Sequence, residues 1–352
     1  MKQITVNDLE KLSIGSAILG SGGGGDPSYP LLMVKNAIEK YGPIDVISIE
    51  DLKENDLVIP LSFMGAPLIN TERLQSGSEL EAILQTIEKR LGQKPTVLMP
   101  AEIGGANAFT PLLIAAKRRI PVLDADMIGR AFPELQMSSC YLRELSATPA
   151  VMADCMGNTI ILETRDANTL ERMARAITVA MGSSSAVGFY FMSGSDVAGS
   201  VIPNTLSQAL ALGEIVIKAR EESTDPISAL VEASNGRILG RGTLIDIDQS
   251  IEKGFLQGSA SILCEGEKMK LFFQNEFLLA KKGEDILSST PELLVLLEEN
   301  SGTPITSEAL RYGLQVALIA IPAPEIWQTP EGLELVGPQV FGYEPIQGEA
   351  IL

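Results

Sequence analysis

Short apolar segments alternate with longer amphipathic segments through the first 165 residues, and this order constrains the fold of the chain more than any other feature. Apolar residues recur at helical spacing in Tyr29–Tyr41 and Ser78–Leu91, whereas Thr96–Met99 and Pro121–Asp124 are short and mostly apolar. Strands of this kind, joined by helical crossovers, are typical of parallel sheets that helices cover. We therefore predict an α/β fold in which helices cover a partly parallel sheet.

The pattern changes in the second half of the chain. Periodicity is mostly helical over residues 166–234 and strand-like from Arg237 onward. The strand candidates are Arg237–Ile247, Gly258–Cys264 and Met269–Leu279, with turns at Gly254, Gly266 and Gly283. A length of 352 residues suits two domains. We predict an N-terminal α/β domain over residues 1–165 and an α+β C-terminal domain over residues 166–352, helical at first and then β-rich.

The chain contains no histidine, and its 45 acidic residues against 27 basic ones give a formal net charge of −18. Without imidazole there is no Ser-His-Asp triad and no His-ligated zinc, so acid–base chemistry falls to residues such as Asp and Glu. A metal, if one is used, would be a divalent ion with oxygen ligands. The negative charge disfavours nucleic acid and anionic membranes as partners. A small-molecule substrate is the partner that we expect.

Three widely spaced cysteines (Cys140, Cys155 and Cys264) form neither a disulfide framework nor a zinc pattern. The sequence also has no apolar run of membrane-spanning length and no long apolar signal-peptide core. These features predict a cytoplasmic protein.

The first candidate site is the glycine run Gly20–Pro27, which has five glycines in six positions. Glycine costs chain entropy unless the backbone must bend sharply or approach another group closely. The candidate binding groups are the hydroxyl of Ser21 and the N–H groups of Gly22, Gly23, Gly24 and Gly25, which could hold an anion or a polarised carbonyl oxygen. No Gly-Lys-Ser/Thr follows, so the run is not a P-loop. The alternative is a flexible turn in which Asp26 caps the next helix.

A carboxylate and two glycines come directly after the strand candidate Thr96–Met99. Glu102 would lie at the carboxyl end of a parallel strand, which is where open α/β sheets bind their ligands. Gly104 and Gly105 would let a substrate lie against the main chain, and Asn107 offers an amide or a helix cap. Glu102 is therefore a candidate catalytic base, with a surface charge as the alternative.

A second acidic stretch follows the next predicted strand. Asp124 and Asp126 point the same way if the strand continues, and such a pair could hold a divalent metal or contain one carboxyl with a raised pKa. Arg130 would neutralise the pair or bind a substrate carboxylate, and Glu134 is a further proton donor. The alternative is a turn closed by a salt bridge to Arg130. Glu276, in a polar interruption of an apolar strand, faces either the site or solvent.

Seven segments resemble the pattern of one protein family, in the same order. They are GSGGGGDP (Gly20–Pro27), MGAP (Met64–Pro67), EIGGANAFTP (Glu102–Pro111), DADMIGRAFPELQM (Asp124–Met137), FQNEFLLA (Phe273–Ala280), LRYG (Leu310–Gly313) and VGPQVFGY (Val336–Tyr343). Over almost its full length the chain resembles the S-methyl thiohydantoin desulfurase family, long carried as a domain of unknown function beside hydantoinase/oxoprolinase genes. The resemblance implies an N-terminal α/β domain, a β-containing C-terminal domain, and hydrolytic loss of sulfur from a thiohydantoin-type ring or related chemistry on hydantoin-like cyclic imides.

We therefore hypothesise a hydrolase that acts at C2 of a hydantoin- or thiohydantoin-like ring. Water activated by Glu102, or by a metal on Asp124 and Asp126, would attack C2, and Asp26 or Glu134 would protonate the leaving sulfur or nitrogen. The glycine-run amides would stabilise the developing negative charge. The alternative is a non-catalytic accessory or binding subunit of a hydantoinase/oxoprolinase system. Homo-oligomers are common among soluble proteins, so we also expect one here.

Overall fold

The computed structural model describes residues 2–65, 69, 75–92, 94–252 and 254–344. Its α-helices are α1 (Leu9–Leu19), α2 (Ser28–Tyr41), α3 (Ser78–Leu91), α4 (Thr110–Arg118), α5 (Ser139–Leu142), α6 (Ala167–Ala180), α7 (Gly194–Val197), α8 (Thr205–Glu221), α9 (Pro226–Ala233) and α10 (Pro330–Val336). Across these described ranges, no helix has the length and apolar character needed to cross a membrane.

The strands divide into two sheets and one short pair. In chain order they are β1 (Gln3–Ile4), β2 (Ile44–Ile47), β3 (Leu57–Gly65), β4 (Val97–Pro100), β5 (Val122–Leu123), β6 (Ala125–Asp126), β7 (Ala150–Ala153), β8 (Thr159–Leu162), β9 (Ser184–Gly188), β10 (Met192–Ser193), β11 (Ile202–Pro203), β12 (Arg237–Glu252), β13 (Phe255–Cys264), β14 (Glu267–Gln274), β15 (Glu276–Lys282), β16 (Asp285–Ser289), β17 (Leu293–Glu298) and β18 (Gln315–Ile321). The short pair is β6 with β11.

The first sheet has the strand order β1-β2-β5-β4-β3-β9-β7-β8, with β10 paired to β3. Its centre is parallel: β2 pairs with β5, β5 with β4 and β4 with β3 in the same direction. The outer strands are antiparallel to their neighbours. Buried apolar residues fill the central strands, as the short apolar runs predicted. The prediction of a partly parallel sheet in an α/β protein is confirmed.

The second sheet is antiparallel throughout, in the order β16-β15-β14-β13-β12-β18-β17. The predicted turns at Gly254, Gly266 and Gly283 are present, each at a positive φ (86°, 87° and 60°) that glycine adopts without strain. The β-rich character of the C-terminal half is confirmed.

The prediction of one strand over Met269–Leu279 is wrong, because the chain reverses at Asn275 (φ 59°). The Asn275 N–H donates to the carbonyl of Leu256 (2.7 Å), and its side-chain oxygen accepts from the Leu256 N–H (2.9 Å). Asparagine tolerates the left-handed region better than most residues, and these two bonds hold it there. The reversal directs the next residue, Glu276, inward.

Two elements from the second half of the sequence pack with the first sheet and its helices. Strand β9 joins the first sheet between β3 and β7, and α8 packs against α1 at very short range. A β-carbon on Gly15 would lie 1.7 Å from the carbonyl oxygen of Ala209, and one on Gly213 would lie 1.9 Å from that of Lys11. The two helices therefore approach backbone to backbone, and glycine is required at both crossing points. The predicted boundary between residues 165 and 166 stays a prediction.

We expect Gly213→Ala to destabilise the protein by about 2 kcal/mol, because overpacking in a close contact moves backbone. At an ordinary helical position the same change would stabilise by about 1 kcal/mol. Chemical denaturation measures the difference. Glu214→Ala, at the exposed neighbouring position, is the matched control and should change stability by no more than about 0.5 kcal/mol. A Gly213→Ala protein as stable as the wild type would contradict the close approach.

Candidate active site

A cleft opens where the carboxyl ends of the central parallel strands meet the second sheet. Its walls come from the end of β3, the segments after β4 and β6, the glycine run and the first residues of β15. Its volume of about 70 Å³ has room for several waters or a small ring. Met64 and Gly65 of the MGAP segment line the cleft, whereas Ala66 and Pro67 lie outside the described residues.

Glu102 follows β4 and lines the cleft, although only 8% of its surface is exposed. The Asn107 side-chain amide donates to one carboxyl oxygen (2.5 Å), and the Phe132 N–H donates to the other (3.4 Å). Asn107 is itself oriented because its oxygen accepts from the N–H of Phe63 (2.8 Å). Burial, followed by repulsion from Glu276, raises the pKa of Glu102 to about 8.

Glu276 reaches the same cleft from the second sheet and is 2% exposed. One of its oxygens lies against the glycine run, since a β-carbon on Gly23 would be 2.0 Å from it. The other oxygen, Oε2, has no hydrogen-bond partner in the described part of the chain. Burial raises the pKa of Glu276 to about 8, against the opposing effect of nearby Arg130 and Arg175. The open question of its orientation is thus answered: Glu276 faces the cleft.

Glu102 and Glu276 together form a pair of buried, mutually repelling carboxyl groups. Each raises the cost of ionising the other, so the pair holds at least one proton near neutral pH. One carboxyl that carries a proton beside one that can accept a proton is the requirement for general acid–base catalysis. The pair therefore supplies the chemistry that histidine provides in many other enzymes.

Arg130 lies behind this pair and is fully buried. Its Nη1 donates to the carbonyl oxygens of Pro291 (2.6 Å) and Glu292 (2.9 Å), and its guanidinium lies 4.5 Å from the ring centre of Phe132. Burial lowers the pKa of Arg130 to about 10, which leaves it charged at neutral pH. Its Nε and Nη1 thus donate to backbone carbonyls rather than to Asp126, and its Nη2 has no hydrogen-bond partner among the described residues. Arg130 is not among the residues that line the cleft.

Asp124 and Asp126 turn to different partners. The Asp126 carboxylate accepts from the N–H groups of Gly129 and Ile103, each at 2.8 Å, although burial raises its pKa to about 7. Asp124 accepts from the N–H (3.0 Å) and the hydroxyl of Ser207 in the first turn of α8. Within residues 2–65, 69, 75–92, 94–252 and 254–344, no group of three or more His, Cys, Asp or Glu could hold a metal ion. The metal on Asp124 and Asp126 stays a prediction.

The glycine run divides between cleft and interior. Gly24 and Gly25 line the cleft, and their carbonyl oxygens accept from the N–H of Ala106 (3.0 and 2.9 Å). Gly22 lies directly under the ring of Phe277, which a β-carbon would approach to 2.5 Å. Packing alone therefore requires glycine at position 22, which we predicted from the sequence to bind ligand.

The remaining binding candidates near this run are also packed. The Ser21 hydroxyl donates to the carbonyl of Leu294 (2.8 Å). A β-carbon on Gly105 would lie 2.5 Å from the carbonyl oxygen of Gly25, and one on Gly104 would lie 2.6 Å from the β-carbon of Ala131. Gly104 and Gly105 therefore let the backbone after β4 touch the glycine run.

The two predicted proton donors lie in different surroundings. Glu134 lines the cleft and accepts a hydrogen bond from the side chain of Gln136. Asp26 is exposed, and its Oδ1 accepts from the N–H (2.8 Å) and hydroxyl (2.6 Å) of Ser28 at the start of α2. Asp26 thus makes the local bonds of a helix-start residue, which was the alternative interpretation of this stretch.

Arg175, which lines the cleft from α6, is a site residue that the sequence did not predict. Its Nε donates to Glu171 (2.7 Å), its Nη2 donates to the Pro133 carbonyl (2.8 Å), and its guanidinium lies 4.2 Å from the ring centre of Phe255. No local signal marks this residue, because it occupies an ordinary position of an amphipathic helix. Glu276, by contrast, was marked by the polar interruption around it.

Trp327, the one tryptophan of the sequence, is fully buried beside this site. Its indole N–H donates to the carbonyl of Ile128 (2.7 Å), and its ring meets that of Phe132 edge to face at 5.4 Å. It therefore fixes the segment that carries Arg130 and contacts Glu102.

The two halves of the chain, with all the residues of this site, match the two domains of one protein family. Residues 7–164 match the family described as S-Me-THD-like, N-terminal domain, and residues 165–350 match S-Me-THD-like, C-terminal domain. A crystal structure of a protein from Chromobacterium violaceum is similar in fold, with a TM-score of 0.81 and 22% sequence identity over 99% of this chain and 100% of that one. No curated protein matches the sequence.

The raised pKa values of the pair predict a stability that falls with rising pH. The folded state keeps protons on Glu102 and Glu276 between about 4.5 and about 8, where the unfolded chain has lost them. Stability therefore decreases through this range, by roughly 1 kcal/mol per pH unit for each such proton. Glu276→Gln should make the decrease shallower in denaturant titrations from pH 5 to 8.5. Glu81→Gln, which removes a carboxylate with a lowered pKa, should leave the slope unchanged; equal slopes for all three proteins would contradict the assignment.

Proposed function

The chain belongs to the S-Me-THD-like family, and we propose that it is a hydrolase that removes a sulfur substituent from C2 of a hydantoin-type ring. The observation that carries the proposal is the pair Glu102 and Glu276, two buried carboxyl groups with raised pKa values that line one cleft. A thiohydantoin-related family supplies the substrate class, and the pair supplies the chemistry.

In the proposed reaction, Glu102 acts as the base and Glu276 as the acid. Glu102 removes a proton from water, whose oxygen forms a bond to C2, while Glu276 gives its proton to the ring nitrogen. The tetrahedral intermediate then loses the C2–S bond: its hydroxyl proton returns to Glu276, and the proton on Glu102 goes to the departing sulfur. The products are a C2 carbonyl and a thiol, and both carboxyl groups end as they began. Water is the sole co-reactant.

The surroundings of the pair suit these roles. The amide of Asn107 donates to Glu102 and fixes its orientation, and Arg130 places a permanent positive charge behind both carboxyl groups. Gly24 and Gly25 line the cleft with bare backbone. A preorganised N–H donor at such a position is worth about 3 kcal/mol when charge develops on the substrate.

The other sequence candidates take secondary places in this proposal. Glu134, which lines the cleft, is the second choice for protonating the leaving group. Asp26, Asp124 and Asp126 are assigned to the backbone segments that they hydrogen-bond. No step of the proposed reaction passes through a metal.

We expect Glu102→Gln and Glu276→Gln each to lower kcat by roughly 10²–10⁴-fold, because general acid–base catalysis contributes about that much. The substrate to use is a 2-(methylthio)-substituted hydantoin analogue, with thiol release followed by a thiol reagent and hydantoin formation by mass spectrometry. Glu81→Gln is the control, since Glu81 pairs with Arg118 on the surface of α3 and α4. Wild-type rates in either cleft variant would refute the assignment of the pair.

No thiol release by the wild type would instead favour the accessory-subunit alternative. In that case the protein should co-purify with a hydantoinase/oxoprolinase subunit, and cyclic imides should not raise its melting temperature.

Arg175 is the proposed site for a carboxylate arm on the ring, because it lines the cleft whereas Arg130 is enclosed. Arg175→Met should raise KM roughly tenfold or more for a substrate with such an arm, the usual size of a lost hydrogen bond to a charged group. KM for the matching methyl ester should change little. Equal effects on the acid and the ester would contradict this role.

A further inference from the structure

Glu308 is a buried carboxyl that the proposed reaction does not use. Neither of its oxygens has a hydrogen-bond partner among the described residues, and the same holds for the hydroxyl of the preceding residue, Ser307. The N–H of Asp26 and the hydroxyl of Thr306 are near enough to favour its charged form, but neither makes a well-formed hydrogen bond to it. Buried polar groups almost always have partners, so three such atoms together require an explanation.

The glycine run brings Glu308 close to Glu276. The residue after Glu276 donates its N–H to the carbonyl of Ser21 (2.7 Å), and Ser307 donates its N–H to the carbonyl of Gly22 (2.8 Å). Two consecutive residues of the run therefore anchor the segments that carry the two carboxyl groups. The unpartnered Oε2 of Glu276 and the unpartnered oxygens of Glu308 thus occupy one region behind the cleft.

Charges around Glu276 come from both sides. Glu102 and Glu308 repel its negative form, whereas Arg130 and Arg175 attract it. Burial raises the pKa of Glu308 to about 7, and repulsion from the exposed Asp26 adds to the rise. Neither Glu276 nor Glu308 forms a salt bridge with a described residue, so we expect a proton to neutralise these two inner carboxyl groups.

We propose that Glu276 and Glu308 share one proton and that Glu308 thereby keeps Glu276 in the acid form that the reaction needs. The proposal rests on the proposed function for its catalytic meaning. Glu308 is a positioning residue, since it acts on the substrate through Glu276. The shared proton joins Oε2 of Glu276 to one of the two Glu308 oxygens, and so gives two of the three unpartnered carboxyl oxygens a partner.

Glu308→Gln tests this arrangement through the pH dependence of kcat. Removing the negative charge of Glu308 weakens the hold of Glu276 on its proton, so the loss of activity on the alkaline side should move to lower pH. We expect a shift of about one pH unit, the size typical of strongly coupled groups, with KM unchanged. Glu299→Gln, which removes a half-buried carboxylate near Arg241, should not move the profile. An alkaline limb that stays in place in Glu308→Gln overturns the proposal.

A second measurement does not need turnover. Infrared titration of the carboxyl groups in the whole protein should show that Glu308→Gln lowers the pKa of a buried carboxyl that disappears in Glu276→Gln. If the wild type has no activity on thiohydantoins, the proposed function fails while this titration still decides whether the proton is shared. Should Glu308→Gln not fold, Glu308→Asp should shift the same titration in the same direction by less, and an unchanged titration would overturn the proposal.

Discussion

The close packing of the glycine run against backbone is the contact on which the cleft depends. Gly24 touches the carbonyl of Gly104, and Gly23 lies against the carboxyl of Glu276. A side chain at Gly24 would push the glycine run away from the segment after β4, and one at Gly23 would displace Glu276 of the second sheet. Because the run is thin, Glu102 from one sheet and Glu276 from the other line a common space. Their meeting is thus a property of the backbone, and the pair's chemistry follows from it.

Burial of like charges is the second theme of this site. Glu102, Glu276 and Asp126 are buried, and the half-buried Glu308 keeps both carboxyl oxygens away from solvent. Arg130 is the one fully buried guanidinium near them in the described part of the chain. Desolvation and mutual repulsion move these acids toward neutral pH. A chain without histidine thereby obtains groups that exchange protons near pH 7. Burying these acids costs folding free energy, and the same burial gives them the raised pKa values that suit proton transfer.

The sequence predicted the elements better than the directions of the side chains. Glu102 was placed correctly after a parallel strand, because strand length and apolarity are local properties. Asp124 and Arg130 were harder, since their partners are Ser207 and the carbonyls of Pro291 and Glu292 between β16 and β17, more than 80 positions away in the chain. The reversal at Asn275 was missed because flanking apolar residues conceal a one-residue turn. Local sequence patterns do not show which distant backbone groups a side chain will hydrogen-bond.

Trp327 links the far end of the chain to this site, and that link gives the protein an internal optical probe. Its indole is hydrogen-bonded to the segment that leads to Arg130 and packs on Phe132, whose N–H contacts Glu102. Since the sequence contains no second tryptophan, intrinsic emission comes from one known position. Ligand entry or a change in the protonation of the acids can therefore be followed without a label, in the unmodified protein.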